Sequence, residues 1–174
     1  MPVTCTPGGA ADNSYISLSD ANGYFADTLR EDTWLGFPAA QRERALVQAT
    51  SQIERLGGSK HTTTAERYRF FGSPETTTQA LHFPRAGDVD ADGSSCIPAG
   101  VQEAVCEQAL WLLQQQANPQ LVDHLELQSQ GVQSATIDGL GFSYRGLSGV
   151  PVGIALLAWR AIKPFINRTI RTRV

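Results

Sequence analysis

Between Pro98 and the Asn118-Pro119 pair the chain places Val101, Ala104, Val105, Ala109, Leu112 and Leu113 at intervals of one, three and four residues. That period gathers all six on one face of a helix but scatters them over both faces of a strand. Pro98 suits a helix start, because its missing N–H would find no intrahelical partner there. Asn118-Pro119 interrupts the pattern. This is the strongest amphipathic helix of the chain.

Two more helices precede it. Ser17, followed three residues on by Asp20, opens a capping-box-like start for a short helix carrying Leu18, Ala21, Tyr24, Phe25 and Leu29. After Trp34-Leu35-Gly36-Phe37, Pro38 is placed for a first helical position, and Leu46, Ala49, Thr50, Ile53 and Leu56 recur at helical spacing. Gly57-Gly58 offers a left-handed stop, so the second helix is expected over about 38–56. Residues 58–97 show no period, and a loop that long in a small domain is usually functional or partly mobile.

Beyond Pro119 a helical turn through Leu121, Val122 and Leu125 leads to two β-like runs, 132–137 and 140–144, joined by Asp138-Gly139. Asp-Gly between alternating segments favours a two-residue hairpin turn. Pro151 then opens a last helix bearing Ile154, Leu157, Ala158, Ala161, Ile162 and Phe165, which Pro164 should bend or end. No repeat divides the chain. The expected fold is mainly α, a small helical bundle with one β-hairpin and extended termini. It forms a single domain over 1–174, with a loose N-terminal arm to about 13 and a C-terminal arm over about 164–174.

At 174 residues, with 41% hydrophobic and 18% charged side chains, one domain can bury a real core. The net charge of −3 hides an asymmetry. To residue 150 there are nine basic and seventeen acidic residues; after it, five basic and none acidic. A basic end on an acidic body suggests a separate partner, an acidic protein surface or nucleic acid. Cys5, Cys96 and Cys106 form no close pair, which argues for free thiols and a reducing compartment. The N-terminus shows no secretory pattern, and the longest apolar run, Val150 to Trp159, is far short of the ~20 residues that span a bilayer. No membrane contact is expected.

No phosphate loop, dinucleotide fingerprint, nucleophile elbow or zinc-helix motif can be written onto the chain. His61, His82 and His124 stand apart in sequence, so no enzyme activity and no obligatory cofactor is expected. Asp88-Val89-Asp90-Ala91-Asp92-Gly93 reproduces the opening of a calcium loop, with Asp88, Asp90 and Asp92 as candidate ligands. The twelfth position, where a bidentate Glu belongs, is Ala99, and an ordinary Asx-turn loop is the competing reading. Arg67-Tyr68-Arg69-Phe70-Phe71 combines rings that stack on bases with arginines that follow phosphates; the same rings can instead anchor the long loop to the core. Arg168-Thr169-Ile170-Arg171-Thr172-Arg173-Val174 alternates basic or polar with β-branched residues, a pattern suited to adding a strand to another protein's sheet or to facing DNA phosphates.

Several stretches in order, Tyr15-Ile16-Ser17-Leu18-Ser19-Asp20-Ala21 with Tyr24-Phe25, Trp34, Ala45 to Thr50, Ala80 to Gly87, Asp92-Gly93, Ile97-Pro98 and Val101 to Leu112, resemble a tailed-phage head-tail connector family. That family is also labelled a DnaT-like single-stranded DNA-binding domain. The resemblance covers about residues 14–113. It implies a structural virion protein: a head-tail adaptor forming a dodecameric ring at the head-tail junction, assembled in the host cytoplasm. Its partners would be the portal protein and a tail-side connector or tail terminator protein, and packaged DNA would pass without sequence-specific binding. The C-terminal arm, with Lys163, Phe165, Ile166, Arg168, Ile170, Arg171, Arg173 and Val174, would then be the portal contact. The alternative is a single-stranded DNA-binding, replication-type module. The two differ in salt: only the second calls for an affinity for single strands that falls steeply as salt rises.

Overall fold

Ser17 starts α1 (Leu18–Ala26) as a reciprocal cap: its hydroxyl accepts from the Asp20 amide at 3.1 Å and donates to the Asp20 carboxylate at 2.7 Å. The computed structural model describes residues 2–57, 68–118, 134–137, 140–143, 151 and 153–168. α1 buries Ala21 and Phe25, then stops where the Thr28 amide turns back to the Phe25 carbonyl. Leu29, expected on the inner face, lies past that stop and is fully exposed. A short helix not expected from the sequence follows, α2 (Glu31–Leu35). Its buried Trp34 stacks on Phe25 with centroids 4.5 Å apart, and the indole N–H donates to Asn22 at 2.8 Å.

α3 (Ala39–Leu56) and α4 (Ala99–Ala117) each follow a proline that serves as N-cap, one position before the first helical residue. α3 buries Ala45, Leu46, Ala49, Thr50, Ile53 and Leu56 on one face, as the period requires. α4 buries five of the six expected residues, Val101, Ala104, Val105, Ala109 and Leu113, while Leu112 is half-buried; Cys106, Glu107, Gln108 and Leu110 are also inside. It packs against α3 on one side and against the last helix, α5 (Leu156–Ile162), on another. Five helices among the described residues make the architecture mainly α.

α5 begins five residues later than Pro151 suggested, and Gln108 supplies the reason. Its carboxamide donates to the Gly153 carbonyl at 3.0 Å and accepts from the Ala155 amide at 2.8 Å, which holds that backbone extended. Pro164 ends the helix inside a 3-10 turn, Lys163–Phe165. The chain then enters a short strand, β4 (Ile166–Arg168), antiparallel to β1 (Tyr68–Phe70) with Phe70 opposite Ile166 and Tyr68 opposite Arg168.

Two further short strands, β2 (Ser134–Ile137) and β3 (Leu140–Ser143), are paired antiparallel with each other, Ser134 opposite Ser143 and Ile137 opposite Leu140. The Asp138-Gly139 turn, Tyr144 and the turn through Leu121, Val122 and Leu125 lie outside the described residues.

Two stretches without period have definite structure. The N-terminal segment, expected as a loose arm, folds back on itself. Asn13 accepts from the Thr4 amide at 2.8 Å, Asp12 accepts from the Thr6 and Gly9 amides, and Ala80 donates to the Gly9 carbonyl. Asn and Asp carboxyl and amide oxygens satisfy turn amides in this way without any periodic pattern. The 71–98 stretch is held by isolated bridges, Pro74 with Arg85 and Val89 with Ser95, and by buried Phe83 and Arg85. The Phe83–Pro84 peptide is cis.

Of the Gly57-Gly58 pair expected to supply a left-handed stop, Gly58 lies outside the described residues, and Gly57 closes α3 with right-handed torsions, φ −75° and ψ −14°. Its reason is space: a Cβ there would overlap the Phe70 ring. Gly57→Ala is therefore expected to destabilise the fold by about 1 to 3 kcal/mol through overpacking. In urea unfolding, pairing it with Phe70→Leu should recover part of that loss; a wild-type midpoint for Gly57→Ala would refute the packing argument.

Candidate nucleic-acid interface

The β1–β4 pairing joins two segments that are almost a hundred residues apart in sequence. Arg67 precedes β1 and Arg69 lies within it opposite Asn167; Arg168 ends β4, and Arg171 and Arg173 follow in sequence. The Phe71 amide extends the ladder, donating to the Phe165 carbonyl at 3.0 Å. Near this ribbon Phe71 is 54% exposed, and Arg160 and Lys163, from α5 and the turn after it, are exposed as well. Cationic side chains with an exposed ring are the parts that bind a single strand: charge for phosphates, a π-face for a base.

The root of the ribbon is rigid. Phe70 is buried edge-on to Phe83, with centroids 4.8 Å apart, and Phe165 meets Phe83 at 5.8 Å and 90°. Arg85, nearly buried, donates through Nε to the Phe71 carbonyl at 2.9 Å and through Nη2 to the Phe70 carbonyl at 3.0 Å. Its guanidinium also lies over the Phe70 and Phe83 rings. Burial pulls the Arg85 pKa down from its ordinary value, opposed by the charges of Tyr15, Glu54 and Asp88. This arginine is a brace for β1 and is not free to meet phosphate. Of the expected aromatic-basic segment, Phe70 is an anchor and Phe71 a free ring; Arg67 lies outside the described residues.

Beside the brace, Tyr15 donates to Glu54 in a very short contact, and the same carboxylate meets His82 Nδ1 at 2.7 Å and the His82 amide at 3.1 and 3.2 Å. The Phe83 amide closes the network by donating to the Tyr15 hydroxyl at 3.2 Å. Desolvation first, and Glu54 second, raise the Tyr15 pKa well above its ordinary value. Sequence reasoning missed this cluster because its members come from three separate segments. The only hint was a carboxylate, Glu54, next to inner-face Ile53. His61 and His124 lie outside the described residues.

The aspartate loop is closed on itself. Asp90 Oδ1 accepts from the amides of Asp92 and Ser94, each at 2.9 Å, and Asp88 Oδ2 accepts from the Arg85 amide at 2.8 Å. Gly93, at φ +80°, makes the turn. Among the described residues no three His, Cys, Asp or Glu side chains are grouped to hold a metal ion. The three cysteines are free thiols, with pKa values raised by burial and by nearby carboxylates, Cys5 to about 11. Protonated thiols are poor nucleophiles at neutral pH. No helix among the described residues is long and apolar enough to cross a membrane.

The residues expected as a free C-terminal arm divide. Lys163 is exposed in the 3-10 turn, Phe165 packs on the core, and Ile166 is buried opposite Phe70. Arg168 is paired with Tyr68, so the strand that the arm was expected to lend to another protein is, at its start, added to β1 of this chain. Apolar burial of Phe165 and Ile166 makes that internal pairing favourable. Ile170, Arg171, Arg173 and Val174 lie outside the described residues.

A basic two-stranded ribbon with an exposed ring, braced on a helical core, accords with the comparison by family. A family model described as "Putative DnaT-like ssDNA binding protein" matches residues 1–158. The chain belongs to this DnaT-like family. No curated protein and no solved structure matches it. The family match corrects the expectation of a phage head-tail connector, and with it the virion adaptor ring and the portal protein, tail-side connector or tail terminator as partners. The physical reason lies in which residues carried the resemblance. Tyr15, Ile16, Ala21, Phe25, Trp34, Leu46, Ala49, Phe83 and Val101 are buried, so they report a shared core and say nothing of a ring or its neighbours.

The Tyr15 shift has a testable sign. A phenol whose pKa is raised by folding contributes stability that is complete below its unfolded value near 10 and is lost as pH rises toward the folded value. Stability should fall above about pH 10, and Tyr15→Phe should make that alkaline limb shallower by up to ~1.4 kcal/mol per pH unit. Chemical denaturation at pH 8 to 11 measures it; equal slopes for the two proteins would refute the assignment.

Proposed function

We propose that this protein binds single-stranded DNA through the β1–β4 ribbon and the basic residues around it, as a binding module without catalysis. The observation that carries the reading is the strand register that sets Arg69 opposite Asn167 and Tyr68 opposite Arg168, joining the two arginine-bearing segments. Exposed Arg160 and Lys163 extend the positive side, and Phe71 offers a ring for one base. The acidic remainder of the chain works with this arrangement. Seventeen carboxylates up to residue 150 repel phosphates from most of the surface, so a strand is directed to the basic end. The hairpin expected from the two runs joined by Asp138-Gly139 belongs to the same proposal.

Single strands are favoured over duplex because stacking on Phe71 needs an unpaired base face. Contacts of guanidinium and ammonium groups with phosphate carry no sequence information, so the expected binding is tolerant of sequence.

Fluorescence anisotropy with labelled oligothymidylate over a salt series tests the proposal. Log affinity should fall linearly with log salt, at about 0.7 per phosphate neutralised. The double change Arg160→Ala, Lys163→Ala should lower that slope, and Phe71→Ala should cost about 1 to 3 kcal/mol of binding at any salt. Binding that is absent, or indifferent to salt and to all three substitutions, would sink the proposal.

A further inference from the structure

The first half of α3 and the last turns of α4 part to leave a cleft of about 420 Å³, which lies away from the ribbon. Its walls carry four carboxamides, Gln41, Gln48, Gln115 and Gln116, and one cation, Arg44. The floor is apolar, made by Ala45, Leu112 and Leu113. Among the described residues no carboxylate lines it, although the chain to residue 150 carries seventeen of them. The volume falls within the roughly 300 to 1,000 Å³ usual for small-ligand clefts.

We infer that this cleft is a nucleotide subsite, in which a base of a bound single strand lies on the apolar floor, the glutamines meet its edge and Arg44 meets the adjoining phosphodiester. The inference rests on the single-stranded DNA reading and adds a second point of contact to it. Three features fit one occupant. A base is a flat ring with an apolar face and a rim of donors and acceptors, and a carboxamide offers both a donor and an acceptor to such a rim. Four glutamines around an apolar floor match that combination better than they match an aliphatic side chain, which would leave them without partners. The single arginine suits a phosphodiester, which has one negative charge. Arg44 is already oriented, since its Nε donates to the Ala40 carbonyl at 3.0 Å and leaves the terminal nitrogens to a ligand.

The position suits a continuous strand. Arg44 lies thirteen residues before Gly57, which abuts Phe70 at the ribbon root, so the two regions are about 20 Å apart along α3 at 1.5 Å per residue. An oligonucleotide of modest length reaches both, and a very short one reaches only one at a time.

Full-length protein, wild type and the double variant Arg44→Ala, Gln48→Leu, is titrated with a thymidine dodecamer and with a base-free dodecamer of the same backbone. Amide resonances of the glutamine side chains are followed by NMR. Both substituted residues are exposed, so the variant is expected to keep its fold, which its unfolding midpoint checks. The carboxamide signals of Gln41, Gln48, Gln115 and Gln116 should shift with the thymidine strand and stay still with the base-free one. The double variant should bind the thymidine strand about tenfold more weakly. Its advantage over the base-free strand should shrink, while the Phe71 contribution persists. If the thymidine strand binds wild type and variant equally, with the carboxamide signals unmoved, the subsite is wrong and the ribbon reading stands. If the wild type binds neither strand, the DNA reading itself fails and the subsite falls with it.

Discussion

Two adjacent polar residues inside α4, Glu107 and Gln108, set the terms for the rest of the molecule. A buried carboxylate or carboxamide left without partners costs about 1 to 3 kcal/mol or more, so each one dictates what must stand beside it. Glu107 is met by a two-point contact from Arg30 and by the Tyr24 hydroxyl at 2.6 Å, which draws α1 and the turn after it onto α4. Gln108 faces the other way. It joins Gln52 of α3 at 2.7 Å and the 153–155 backbone, and so fixes where α5 can begin. Apolar burial supplies most of the driving force, but it is not directional. These two side chains supply the direction.

The same logic repeats at the far end of α3. Arg85 satisfies the carbonyls of Phe70 and Phe71 while lying over two aromatic rings, and the Tyr15, Glu54 and His82 network ties the first segment of the chain to the loop that carries Arg85. A strand pair of three residues each is marginal alone, since an isolated two-stranded ribbon has little stability in water. Anchored on Phe70, Phe83, Phe165 and Ile166, it can hold its register. The interface proposed for single strands thus stands on a braced base, with Arg160 and Lys163 exposed near it and its rings divided between packing, Phe70, and exposure, Phe71.

How far the residues could be read in advance varies by element. The helices over 18–26, 39–56 and 99–117 were legible because apolar spacing and prolines act locally. α2 escaped notice because five residues are too few for a period, and its Trp34 signals only burial. Leu29 was misplaced because helix capping by Thr28 ends α1 before it. In the loop of 71–98, nothing periodic could show that Arg85 would be buried. The candidate site was half legible: both basic segments stood out by charge and alternation, but their juxtaposition is a contact between residues 68–70 and 166–168.

The sequence by itself determined that the chain is mainly helical, where its long helices start, and that positive charge gathers at one end of an acidic body, because period, proline and charge are properties of near neighbours. Only the tertiary structure decided that Gly57 yields to a ring, that Arg85 is a buried brace, and that two distant arginine-bearing segments share one ribbon. Those outcomes depend on which surfaces meet once apolar faces are buried, and a contact across a hundred residues leaves no local trace in the chain that forms it.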